Sequence, residues 1–164
     1  GNPVRPAIQA VGATPYTPPA AAIELLVTGG SQGARVFAEI VPAALALLPA
    51  ALRARLRVSQ QARPEDKDAV AGQYRAVGIA ADIASFFTDM PERLRRAHLV
   101  VCRAGATTIA ELAAAGRPAI LVPYPYATDD HQTVKAGELA ATSGGWMIAQ
   151  PCFDQKSCRV RMMS

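Results

Sequence analysis

At 164 residues the chain is sized for one ordinary domain, and at 51% hydrophobic but 5% aromatic its core must come mainly from Ala, Val, Leu and Ile. The net charge of +4 and pI near 9.3 come from scattered basic residues, with no basic stripe interleaved with aromatics; this excludes a nucleic-acid surface and leaves a solvated face or a mild attraction to anions and anionic membranes. No stretch reaches the roughly 20 apolar residues of a membrane span, residues 1–22 lack the pattern of a secretory signal, and Cys102, Cys152 and Cys158 lack metal-ligand spacing and suit a reducing compartment.

Residues 1–22 contain Pro3, Pro6, Pro15, Pro18 and Pro19 and read as an extended linker. The Gly1-Asn2-Pro3-Val4-Arg5 start, without Met, is expected to lie inside a longer protein. A regular alternation begins at Ile23. Ile23–Thr28 reads as a strand, Gly33 to about Leu48 as a helix that Pro42 could bend, and Leu56–Gln60 as a second strand. Glu65–Ala76 reads as an amphipathic helix with Pro64 near its start, then Ile83–Phe87 as a strand. Met90–Ala97 reads as a short helix with Asp89 as N-cap and Pro91 early, and His98–Cys102 as an apolar strand. Ala106–Ala115 reads as a helix stopped by Gly116, and Ala119–Val122 as a strand. A loop over Pro123–Asp130, a helix over His131–Thr142 and a strand over Trp146–Ala149 complete the set. Unbroken apolar strands such as Leu99-Val100-Val101 suit a parallel sheet covered on both faces. The expected fold is therefore α/β, a doubly wound, Rossmann-like parallel sheet of about six strands. The expected organisation is a linker over 1–22, an α/β domain over 23–151 and an unusual tail over 152–164.

In such folds ligands bind beyond the carboxyl ends of the strands, so the loops after Thr28, Phe87, Cys102 and Val122 rank first. Gly29-Gly30-Ser31-Gln32-Gly33 joins a strand to a helix; it is neither G-x-G-x-x-G nor a P-loop. It suits a phosphate at a helix N-terminus, or else a tight turn with Ser31 as the cap. Arg103-Ala104-Gly105-Ala106-Thr107-Thr108-Ile109-Ala110-Glu111 repeats the pattern. A second helix N-terminus could share one diphosphate with the first, and Glu111 could accept from both hydroxyls of a ribose. The alternative is Thr107 or Thr108 as N-cap, with Glu111 as a favourable charge near the helix start. Asp129-Asp130-His131-Gln132 closes the longest loop. His131 has no adjacent nucleophile, and Gln132 is the more economical partner for sugar hydroxyls. Phe86 and Phe87 read as core, or as backbone that lines a flat base.

Together these motifs resemble the C-terminal domain of the MurG family of bacterial peptidoglycan glycosyltransferases, over about residues 1–151. The resemblance rests on the Gly-Asn-Pro-Val-Arg start, Gly-Gly-Ser-Gln-Gly-Ala-Arg, Cys-Arg-Ala-Gly-Ala-Thr-Thr-Ile-Ala-Glu-Leu and Asp-Asp-His-Gln, in that order. It implies one half of a GT-B enzyme of inverting type, moving N-acetylglucosamine (GlcNAc) from UDP-GlcNAc to undecaprenyl-diphospho-muramoyl-pentapeptide. That is a step of peptidoglycan synthesis, and so of cell-wall growth, shape and division, on the cytoplasmic face of the inner membrane. It implies Arg5 and Ser31 at the diphosphate, the Phe87 backbone at uracil, Ala106, Thr107, Thr108, Ile109 and Ala110 as the helix N-terminus at the phosphates, Glu111 at the ribose and Gln132 at the sugar. Gly30, Gln32, Gly33 and His131 are secondary candidates. No metal or other cofactor is implied, since UDP-GlcNAc is a substrate, and the catalytic base is expected in an N-terminal domain that these residues do not include. Lys135 stands where the family usually has Asn, and residues 155–164 do not resemble its closing helices. The expectation is a fragment that binds donor weakly and does not turn over alone. Two alternatives are a separate nucleotide-sugar-binding subunit recruited by a membrane partner, and a UDP-sugar epimerase or hydrolase, which would need catalytic carboxylates that cannot be placed here.

Overall fold

The structure, a computed structural model, describes residues 4–122 and 146–147, and for residues 30–34, 106 and 146–147 the backbone alone. The expected loop and helix between Val122 and Trp146, and the tail beyond Met147, lie outside the described residues.

The strands are β1 (Ile23–Thr28), β2 (Leu56–Gln61), β3 (Ala80–Ala84), β4 (Leu99–Arg103), β5 (Ala119–Val122) and β6 (Trp146–Met147). They form one sheet in the order β3-β2-β1-β4-β5-β6, every neighbouring pair parallel. The order reverses direction between β1 and β4, where doubly wound folds open a crevice. The helices are α1 (Pro6–Gly12), α2 (Gly30–Ala46), α3 (Ala50–Arg53), α4 (Lys67–Ala76), α5 (Met90–Arg96) and α6 (Ala106–Ala115).

The period of two along each strand divides the core. Leu25, Val27, Val58, Val101, Ile120 and Val122 face α2 and α4, with Phe37, Val41, Leu45, Val70 and Tyr74 packed on them. Leu26, Val100, Cys102 and Leu121 face the other way, onto Ile8 and Val11 of α1, Leu94 of α5 and Leu112 of α6. Burial pushes the Cys102 thiol up to about 12, so it is a core residue rather than a reactive thiolate.

Three expectations need correction. First, residues 1–22 are not all extended. Pro6 opens α1 within its first two positions, where its missing N–H costs nothing, and Ile8 and Val11 form an apolar stripe that is buried. The helix sits so close to α6 that a Cβ on Gly12 would lie 2.1 Å from the Ala114 carbonyl oxygen. Second, β3 is Ala80–Ala84 rather than Ile83–Phe87. Its pairing with β2 runs from Arg57↔Ala80 to Gln61↔Ala84, and there β2 ends, so Ser85 to Phe87 have no strand to pair with. Third, α2 begins at Gly30 rather than Gly33, which puts residues 30–33 in its first turn. It runs through Pro42 to Ala46. Elsewhere the ends differ by a residue or two, as for α4, which starts at Lys67 and not Glu65.

Candidate functional site

Two strand–glycine–helix junctions lie side by side at the carboxyl edge, because β1 and β4 are neighbours. At each, a glycine occupies the N-cap position and no side chain caps the helix. Gly29 precedes α2 with φ −125° and ψ 3°, and Gly105 precedes α6 with φ −77° and ψ 152°. The capping alternatives for Ser31, Thr107 and Thr108 are thereby corrected: Ser31 lies inside α2, and both threonines lie inside α6. The first amides of α6, those of Ala106, Thr107 and Thr108, have no intrahelical acceptor. The Ile109 N–H is already taken by the Gly105 carbonyl at 2.9 Å. The Ile109 side chain is buried in the core, and Ala110 lies one residue further along the same helix. From this stretch the groups facing outward at the junction are therefore the amides of 106–108 and the side chains of Thr107 and Thr108, the latter lining the cleft described next.

Beside α6 a cleft of about 170 Å³ opens on the α5/α6 face of the sheet. Leu26, Val100, Leu94 and Leu112 form its apolar floor; Thr28, Thr108, Arg5 and Glu111 bring polar groups to it. Arg5, far away in sequence, arrives because α1 docks on α6. Its Nε donates to Glu111 Oε1 at 3.0 Å and its Nη2 to Oε2 at 3.3 Å, a two-pronged contact. Arg5 is 58% exposed, so the pair is worth at most about 1 kcal/mol, and an anion or a diol could take over either partner at little cost. Glu111 itself is only 17% exposed, held at the wall of the cleft.

The structure thus gathers Arg5, Thr108 and Glu111, beside the first turn of α6. Phe87 lies on the neighbouring loop after β3, its ring buried at 6% exposure while Phe86 stands 73% exposed. For Gly30, Ser31, Gln32 and Gly33 the backbone places them at the start of α2, next to the same edge. Gln132 and His131 lie outside the described residues.

Two participants escaped the sequence reading. Gln61, at the end of β2, accepts from Thr28 Oγ1 at 2.9 Å and from the Gly29 N–H at 3.3 Å, and its Nε2 donates to the Ser85 carbonyl at 3.0 Å. One carboxamide therefore ties the first junction to the loop carrying Phe87. A polar pair, Gln60-Gln61, at a strand's carboxyl end was the available signal. The second is Arg93. Its guanidinium lies 4.1 Å from the Phe87 ring centroid and donates to Asp89 at 2.8 Å, Ser59 at 2.8 Å and Asp82 at 2.7 Å. The Asp89-x-x-x-Arg93 spacing, one helical turn, was its trace in the sequence. Asp89 holds the N-cap position of α5 but spends its carboxylate on Arg93 rather than on an amide, which lowers its pKa. Burial alone would lower the Arg93 pKa; hydrogen bonds to Asp89 and Asp82 outweigh it and raise it. Among the described residues no group of three or more His, Cys, Asp or Glu is placed to hold a metal ion, and no helix is long and apolar enough to cross a membrane.

The sequence profile of the glycosyltransferase family 28 C-terminal domain matches residues 24–158. The chain belongs to this family. Among relatives of this glycosyltransferase domain, proteins from Granulibacter bethesdensis and Rhodospirillum rubrum are 57% and 56% identical over 99% of the chain. Both bear the name UDP-N-acetylglucosamine–N-acetylmuramyl-(pentapeptide) pyrophosphoryl-undecaprenol N-acetylglucosamine transferase. The chain spans 43% and 42% of their lengths, so it corresponds to less than half of each. The crystal structure of Acinetobacter baumannii MurG superposes with a TM-score of 0.79 at 30% identity, over 91% of this chain and 44% of that one. The glycotransferase of kitacinnamycin shares the fold, with a TM-score of 0.64 at 18% identity over 90% of this chain and 36% of that one.

Proposed function

We propose that this family 28 domain is the donor-binding half of an inverting glycosyltransferase that moves GlcNAc from UDP-GlcNAc to undecaprenyl-diphospho-muramoyl-pentapeptide in peptidoglycan synthesis. The observation that carries this reading is the cleft at the sheet's reversal point, where Arg5 and Glu111 meet beside the first turn of α6. Helix amides that have no intrahelical acceptor, with a guanidinium beside them, suit a diphosphate, and a carboxylate a short distance along the same helix suits a vicinal diol.

In this mechanism the chain's task is to bind, orient and stabilise the leaving group. The α6 amides, with those at the start of α2 and Ser31, hold the diphosphate. Arg5 moves from Glu111 to a phosphate oxygen and offsets the charge that grows on UDP as the glycosidic bond breaks. Glu111, released from Arg5, accepts from the ribose hydroxyls, and Gln132 bonds the GlcNAc hydroxyls. Phe87 offers its backbone to the base. The phosphate charge is met by these groups without a resident metal. The acceptor hydroxyl is deprotonated by a group outside this chain, in the half that binds the lipid-linked acceptor at the cytoplasmic membrane face.

Calorimetric titration with UDP and UDP-GlcNAc tests this reading. Saturable binding that Glu111→Gln weakens tenfold or more supports it, since one good charged hydrogen-bond pair to a diol is worth about 1.5–3 kcal/mol. A folded protein that takes up no UDP at millimolar concentration refutes it.

A further inference from the structure

The loop from Ser85 to Asp89 carries the backbone assigned above to the base, yet it has no strand pairing of its own. Two side chains hold it: Gln61 takes the Ser85 carbonyl at its start, and Arg93 holds the rest. The Arg93 guanidinium stacks on the Phe87 ring and takes the Asp89 carboxylate, so it grips the loop at two residues that bracket its turn into α5. Its other arms reach the sheet. Ser59 and Asp82 are register partners on β2 and β3, hence side by side on the face that α5 covers, and Arg93 donates to both. The guanidinium is 14% exposed although its carboxylate partners stand near solvent, Asp82 at 59% and Asp89 at 49%. A planar fork with several fixed donors meets this set of acceptors and the ring together; one ammonium group cannot. With the Phe87 ring held inward, its neighbour Phe86 is turned out to solvent.

A base read by backbone groups is discriminated only by where those groups stand, because no side-chain chemistry distinguishes it. We propose that Arg93 is a positioning residue for base selectivity: it fixes the Phe87 backbone where it accepts uracil and rejects a purine. The proposal rests on the donor reading above. It says nothing of the diphosphate contacts, which lie on α6 and Arg5 and share no hydrogen bond with Arg93 among the described residues.

The test uses the full-length transferase, comparing UDP and ADP as competitive inhibitors together with KM and kcat for UDP-GlcNAc. Arg93→Gln should raise the inhibition constant of UDP about tenfold, roughly the loss of one hydrogen bond to the base, while that of ADP stays within about twofold. KM should rise with kcat held, because the lost contact is made equally in ground and transition states. Arg93→Lys should not restore selectivity. Asp82→Asn, which trims one well-exposed arm, should give a smaller shift in the same direction, and it carries the test if Arg93→Gln does not fold. Equal changes for UDP and ADP, or no change in either, overturn the proposal. A wild-type enzyme without preference for UDP over ADP overturns the donor reading and this proposal with it; a preference that survives both substitutions overturns this proposal alone.

Discussion

Arg93 and Arg117 anchor opposite ends of the same short helix, α5, and their charges are met in opposite ways. Arg93, in the middle of α5, reaches back to Asp89 at the helix start and is answered by two carboxylates and a hydroxyl. Arg117, just before β5, is 2% exposed and donates to four carbonyls, those of Thr14, Leu94, Arg95 and Ala115. Leu94 and Arg95 end α5, and Ala115 ends α6, so the negative ends of two helix dipoles converge on that guanidinium. Burial lowers its pKa, yet it stays a cation. The contrast separates two uses of one side chain. Carboxylates at an open edge hold the loop that the donor reading sets against the base. Carbonyls in a closed knot join parts that must not move: α5, α6 and the segment that follows α1.

Breaking the knot should therefore cost most. Arg117→Ala leaves buried carbonyls without donors, and the expected loss is about 3 kcal/mol, read as a lower urea midpoint. The same substitution logic at Arg93 should move UDP selectivity far more than stability. If Arg117→Ala melts like wild type, the distinction between the two edges fails.

Gly12→Val tests the same join from its other side. The new Cβ would meet a backbone carbonyl, which cannot rotate away as a side chain could. The expected cost is about 2 kcal/mol, in the range for overpacking. Because α1 also delivers Arg5 to the cleft, UDP affinity should fall in parallel. A Gly12→Val protein with wild-type stability would show that α1 is a passenger rather than part of the domain.

Glu111→Gln is the converse case. It removes the partner of Arg5, but the pair is partly exposed, so stability should change by less than about 1 kcal/mol while UDP binding falls at least tenfold. Loss of both together would mean that Glu111 serves the fold instead.

These sites were unequally visible beforehand. The strands Ile23–Thr28 and Ala119–Val122 were legible to the residue, because burial on both faces of a parallel sheet leaves a strong local signal, and so was the helix Ala106–Ala115, which Gly116 stops. Arg5, Thr108 and Glu111 were named from motifs, and the fold brought them to one cleft. What stayed hidden depended on partners distant in sequence. Five prolines masked α1, whose stripe of Ile8 and Val11 means little without α6 to receive it. Phe86-Phe87 imitated a strand, while the true β3 is an Ala-rich edge recognised only through its register with β2. Arg93 and Arg117 were two among many scattered arginines, and no local pattern shows which acceptors a guanidinium will find across the sheet.

The smallest expected effect is a pH dependence at the amino edge, next to the Arg117 knot. His98 Nδ1 accepts the Glu24 N–H at 2.9 Å, and the His98 backbone N–H donates to the Glu24 carbonyl at 2.8 Å, tying the start of β4 to that of β1. The ring must be unprotonated at Nδ1 to do this. Burial lowers its pKa below the ordinary 6.5; the Glu24 carboxylate opposes that shift and the Arg117 charge adds to it. Between the lowered value and 6.5 the unfolded chain binds a proton that the folded chain refuses, so stability is full above pH 6.5 and falls as pH drops below it. Urea midpoints measured from pH 7 down to about pH 5, where an ordinary histidine is fully charged, should show this decline. His98→Asn, whose carbonyl oxygen can accept the same amide, should flatten it. An unchanged slope would place the acid sensitivity elsewhere and leave His98 as a hydrogen-bond acceptor whose charge the fold never feels.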